Sequence, residues 1–162
     1  MSFTQEVTET IHLPIADVYS EVPLDQVILE HLQRTKEGVC TQYGYVYPES
    51  IELVRKTLGT IVTVDTQSLV EFRVTYRLNT LKPCQGDIFD CILSSQTKMG
   101  LMGFMKHGTA TEPHQSPLLI IIPDKTLDPQ TTYAVGKTYQ VEILECRIKY
   151  KSPQIQSAAK IV

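Results

Sequence analysis

The second half of the chain sets the tightest limit on its fold. Residues 88–94, 101–105, 118–123, 138–150 and 156–162 are five runs rich in Val, Ile, Leu, Phe and Tyr, separated by Gly, Pro and polar turns. Most are shorter than a packed helix requires, and their branched and aromatic side chains suit a pleated surface. Closing short strands into a ring removes the exposed edges an open sheet would present, so the pattern predicts a small five-stranded barrel of the OB type. Lys98-Met99-Gly100 reads as the tight turn joining its first two strands.

The barrel has a legible beginning. Leu81-Lys82-Pro83 interrupts the pattern, because proline lacks a ladder donor and restricts the residue before it. We therefore expect residues 1–81 to form one domain and residues 82–162 another. In the first, residues 8–14 alternate Thr8, Thr10 and His12 against Glu9, Ile11 and Leu13 before Pro14 ends the pairing. Leu24, Val27, Ile28 and Leu32 recur at helical spacing, Asp25 suits the first turn, and Gly38 is the natural stop. Residues 39–46, 59–65 and 68–78 read as strands, with Val70, Phe72, Val74 and Tyr76 on a core face. The expected class is α+β, mostly β.

Composition narrows the function. The chain has 162 residues, 42% hydrophobic and 20% charged, enough for one ordinary domain or two small ones. Its longest apolar run, residues 118–122, is closed by Pro117 and Pro123, far short of the roughly eighteen residues of a membrane span. No membrane association is expected. Residues 1–10 are polar and acidic, unlike a secretory signal, which implies an intracellular setting. Cys40, Cys84, Cys91 and Cys146 form no CxxC pair, so they read as reduced thiols rather than zinc ligands. The net charge of −3 argues against a protein held on nucleic acid mainly by phosphate neutralisation. Residues 1–81 carry six Lys and Arg against eleven Asp and Glu, whereas residues 82–162 carry nine against seven. RNA contact, if any, belongs to the second half.

A set of short motifs resembles a known family. Glu37-Gly38-Val39-Cys40 and Tyr43-Gly44-Tyr45-Val46 are followed by Gly59-Thr60-Ile61, Phe72-Arg73-Val74-Thr75-Tyr76-Arg77, Lys82-Pro83 and Gln85-Gly86-Asp87-Ile88. Their order and spacing over residues 8–150 resemble the stalk subunit of multisubunit DNA-directed RNA polymerases, the seventh subunit in eukaryotes and E-prime in archaea. Residues 116–123 depart from the cellular pattern and look more like the shortened forms of large DNA viruses. The resemblance implies an N-terminal tip domain, a helix on a twisted antiparallel sheet, followed by a five-stranded OB barrel. It also implies transcription without an active site of its own or a cofactor. The implied partners are the polymerase core subunits at the largest subunit's clamp region, a fourth-subunit-like stalk partner, and nascent RNA. The implied location is the host cytoplasm, its viral factory and the virion for a viral form, or the nucleus for a cellular one.

Candidate residues follow from both readings. Gly38, Gly44 and Gly59 suit positions needing positive φ or close backbone approach, and the resemblance places their loops at the core-polymerase interface. Tyr43, Tyr45 and Tyr47 alternate and so point one way from a strand, either into a core or onto an interface strip. Lys98, Lys106, Lys149 and Lys151 lie nearest the expected barrel face and rim and are candidates for weak RNA contact. Phe89, Phe104, Tyr133, Tyr139 and Tyr150 are the only aromatics in that half, and several fall on expected core faces. His107, His114 and Glu112 lie close in sequence but make a poor metal set. No nucleophile elbow, phosphate-binding loop or framed carboxylate pair is present, so no enzymatic activity is expected. The alternatives are a free-standing OB protein for single-stranded nucleic acid, or a small enzyme whose site assembles from distant residues.

Overall fold

The computed structural model describes residues 2–162. In chain order they form β1 (Ser2–Pro14), α1 (Ile15–Val18), α2 (Leu24–Lys36), β2 (Cys40–Thr41), β3 (Gly44–Val46), β4 (Glu52–Lys56), β5 (Thr60–Val64), β6 (Gln67–Leu81), β7 (Ile88–Thr97), β8 (Gly100–Met105), β9 (Leu118–Pro123), β10 (Thr138–Arg147) and β11 (Ile155–Ile161). The protein is mostly β and divides into two compact units. One comprises Phe3–Glu37 and Val46–Thr80. The other comprises Ser2, Gly38–Tyr45 and Leu81–Val162.

The first unit is built around β6, whose alternate residues Val70, Phe72, Val74, Tyr76 and Leu78 are all buried. On one side β1 adds Val7, Ile11 and Leu13 to that face. On the other side β4 pairs antiparallel with residues 74–77 and β5 with residues 67–71. Helix α2 turns Ile28 and Leu32, four residues apart and fully buried, toward the same core. Fully burying one such side chain contributes about 1.5–3 kcal/mol, so packing rather than intrinsic propensity holds a helix of this length. The helix lacks a side-chain N-cap but carries Asp25 in its first turn and Arg34 and Lys36 in its last, matching its dipole.

The opposite face of this sheet is polar. Glu6 pairs with Arg77, Thr8 with Thr75 and His12 with Glu71, a ladder whose opposite running order is that of antiparallel strands. Across β4 the register continues it, with Glu52 opposite Arg77 and Arg55 opposite Thr75. Thr57 and Arg73 then exchange backbone contacts: the Thr57 N–H donates to the Arg73 carbonyl, and the Arg73 N–H to Thr57 Oγ1.

The second unit contains a closed barrel in the order β10-β11-β9-β8-β7. Strands β9 and β11 are parallel and the other neighbours antiparallel, an arrangement consistent with an OB-type barrel. In β9, Leu118, Ile120 and Ile122 are fully buried and alternate with half-buried Leu119 and Ile121. Cys91, Leu93, Leu101, Val141, Ile143, Ile155 and Ala159 fill the rest of the interior.

Four local expectations change. Strand β1 begins at Ser2 rather than near Thr8, because β6 is long enough to pair with all of it. Strand β4 was not anticipated. Its sequence ELVRK is charged at both ends and bulged between Leu53 and Arg55, which destroys the alternation that marks a strand. The run over residues 39–46 is a hairpin, β2–β3, reversing at Gln42-Tyr43. Strand β10 stops at Arg147, and Lys149–Ser152 forms a turn whose Lys151 has φ 65°. That turn explains why residues 38–45 cluster with the barrel. The Cys40 N–H donates to the Ser152 carbonyl and the Lys151 N–H to the Cys40 carbonyl, both at 2.8 Å.

Candidate functional site

Strand directions sort the loops of the barrel into two ends. The pairings Glu142 with Ile88, Cys91 with Met105 and Ile155 with Leu118 place the start of β7, the end of β8, the start of β9, the end of β10 and the start of β11 at one end. Lys106, Arg147, Lys149 and Lys151 therefore share that end, all exposed. Lys98, in the β7–β8 turn, sits at the other end, separated by the length of β8, about 20 Å at roughly 3.3 Å per residue. The four lysines singled out in the sequence are thus three and one.

The shared end carries a feature that sequence reasoning missed. Tyr150 is 65% exposed, and Lys151 Nζ lies 5.7 Å from its ring centroid. A left-handed lysine costs on the order of 1–3 kcal/mol. Here two backbone hydrogen bonds around Cys40 hold the turn in that shape, and the exposed ring and its cation project together from it. An exposed ring beside lysines is what a single base needs, a stacking face with cations for the adjoining phosphates. Asp90 and Glu145 lie at the same end and temper its charge, which predicts shallow salt dependence. The signal was present in the sequence: Lys149-Tyr150-Lys151 runs straight into Ser152-Pro153, a turn composition that should have ended the strand before the tyrosine.

The candidate interface residues of the first half fall in different surroundings. Gly38, Tyr43, Gly44 and Tyr45 belong to the barrel unit, Tyr47 and Gly59 to the other. Tyr45 is 8% exposed, opposite Cys40, and its ring is part of a core. Tyr43 and Tyr47 are half-buried. Gly59 is required by close approach: a Cβ there would lie 2.7 Å from Val70 Cγ1 and 2.9 Å from the Phe72 ring. Beside it, Leu58 is 92% and Ile61 64% exposed, an apolar pair that the sequence reading did not single out.

Other clusters are quieter. His114 Nδ1 and Glu112 Oε2 are 3.2 Å apart on the surface, and among the described residues no group of three or more His, Cys, Asp or Glu is placed to hold a metal ion. A cleft of 420 Å³ at the Lys98 end is lined by Leu101, Asp124, Asp128 and Tyr133. The backbone N–H of Gln130 and the Thr131 hydroxyl hold the Asp128 carboxyl below the usual carboxylate range, a local turn rather than a catalytic pair. Burial pushes the Cys91 thiol up to about 12, which makes it inert as a nucleophile. No helix among the described residues is long and apolar enough to cross a membrane. Compared with known proteins, the chain matches no family model, and no curated protein is significantly similar to it.

Proposed function

We propose that this chain is a non-catalytic stalk subunit of a DNA-directed RNA polymerase. In this reading the unit of helix and antiparallel sheet is the tip that anchors on the core beside the clamp, and the OB-type barrel lies along the path of nascent RNA. The observation that carries the reading is the succession itself. A β6-centred sheet with one principal helix passes through Lys82-Pro83 into a five-stranded closed barrel, in the order and at the spacing that the sequence motifs imply. Within the tip, Leu58 and Ile61 beside Gly59 supply the exposed apolar area that an anchor needs. The barrel guides RNA weakly, through Tyr150 with Lys106, Lys149 and Lys151, and tethering beside the exit path raises the local RNA concentration enough for such contacts to count.

Affinity purification of the tagged chain from its native cells, followed by mass spectrometry, tests this. Co-elution with the catalytic polymerase subunits is expected. Recovery without them favours the second reading, a free-standing OB protein for single-stranded nucleic acid, which the exposed Tyr150 with its lysine neighbours also supports. Within the complex, replacing Lys106, Lys149 and Lys151 together with Ala should reduce crosslinking of emerging transcript, and Lys98→Ala should not.

A further inference from the structure

The polar face of the first unit holds a charge arrangement that the stalk reading does not use. Its side chains lie in rows across β1, β6 and β4. The row Thr8, Thr75, Arg55 is followed by Arg73 with Thr57, and by the register of the ladder Thr10 stands opposite Arg73. Thr8, Arg55, Lys56, Thr57, Arg73 and Thr75 line a shallow hollow of 310 Å³. Lys56 points to the other face, where it pairs with Asp25. Arg55 and Arg73 are diagonal neighbours on one face, about 7–8 Å apart at Cα, and both are exposed.

Neither arginine has an acidic partner among the described residues. This is notable in a stretch where eleven acids outnumber six bases. The nearest acids on the face are engaged or displaced: Glu6 pairs with Arg77 at 3.4 Å, and Glu71 with His12 at 3.1 Å. The result is two rows with two unpaired guanidinium groups and threonine hydroxyls, bordered by Glu6 and Glu52 on one side and Glu71 on the other.

We propose that this hollow docks an acidic loop of a partner protein, with Arg55 and Arg73 receiving one or two carboxylates. Four features select that occupant. A guanidinium matches a carboxylate with two parallel hydrogen bonds, and the threonines add short polar contacts around it. The acidic borders lie only two residues along the strands from each arginine, about 7 Å, so a polynucleotide following the strands would meet Glu6 and Glu52 or Glu71 after one phosphate. The residues lining the hollow also include no aromatic ring on which a base could stack. Finally, the hollow is open and shallow, whereas a small-molecule site encloses most of its ligand. The assignment is independent of the polymerase reading, since any acidic partner would satisfy it.

The test is an NMR titration of the full chain with a capped peptide holding two adjacent glutamates flanked by glycine and serine. Controls are the same peptide with glutamines and a short uridine oligomer. Saturable shifts of the Arg55 and Arg73 Nε–Hε signals and of the Thr57 amide are expected with the glutamate peptide alone. Arg55→Gln or Arg73→Gln should each weaken binding about threefold, as for exposed ion pairs, and Arg55→Glu with Arg73→Glu should abolish it. Unperturbed spectra elsewhere will show that the variants fold. Absence of saturable shifts, equal response to the glutamine peptide, or tighter binding of the uridine oligomer at these residues would overturn the proposal.

Discussion

Gly100 offers the sharpest test of the barrel geometry. It begins β8 opposite Pro123 with φ +142°, and a Cβ there would lie 2.0 Å from the Ile122 carbonyl oxygen and 2.9 Å from the Asp124 nitrogen. Both obstacles are backbone atoms and cannot rotate aside. Gly100→Ala must therefore push β8 from β9 and weaken the bond from the Asp124 N–H to the Met99 carbonyl. The backbone conformation costs about 1–3 kcal/mol, forced separation about 1–3, and a lost hydrogen bond about 1. The sum, roughly 3–7 kcal/mol, is a large part of the 5–15 kcal/mol that stabilises a typical protein. Gly86→Ala is the matched control, since Gly86 has φ +91° but no atom within 4 Å of the added Cβ, leaving a cost of about 1 kcal/mol. In urea, with a slope near 1.5–2 kcal/mol per molar, the midpoint should fall by about 2–4 M for Gly100→Ala and about 0.5 M for Gly86→Ala. Hydrogen exchange read on β8 and β9 should report the same ranking. Equal midpoints for the two variants would refute the argument, because they would mean that β8 and β9 do not pack as described.

Other outcomes are as definite. Iodoacetamide at pH 8 should label exposed Cys84 first and buried Cys91 last; a thiol at about 12 rather than 9.0 holds roughly a thousandfold less thiolate, so rapid alkylation of Cys91 in native protein would contradict its burial. Burial, then Arg34 and Lys36, lower the His31 pKa below 6.5, so its contribution to stability is intact above pH 6.5 and is lost as pH falls from there through the folded value. His31→Gln should flatten that limb of the stability–pH curve, and an unchanged acid limb would show that other groups carry it. Tyr45→Asp should lower thermal stability of the free chain, since it places a carboxylate where an 8% exposed ring packs. A variant as stable as the parent would return Tyr45 to the surface.

The barrel was readable because each of its strands carries its own signal. Period-two burial in residues 118–122 and Pro, Gly or polar punctuation between runs need no long-range information. Helix α2 was readable for the same reason, through Ile28 and Leu32. What stayed hidden depends on partners distant in sequence. Strand β4 is recognisable only once β6 stands beside it. The membership of residues 38–45 in the barrel unit depends on Cys40 meeting a turn more than a hundred residues later. The candidate surfaces divide likewise. Tyr150 could have been assigned to a turn from Ser152-Pro153, but the unpaired state of Arg55 and Arg73 follows from a three-strand register that no local pattern encodes.

The position of β11 also matters for how the protein is made. It lies between β9 and β10, parallel to the first and antiparallel to the second, so a ribosome must deliver residues 155–161 before the ring can close. Until then β9 and β10 each present an open strand edge, and β9 carries Leu118 to Ile122 without a charge. During synthesis at roughly 5–20 residues per second that interval is brief. A transcript truncated just before β11 would make it permanent, and the product should be a substrate for chaperones and proteases rather than a shortened but working barrel.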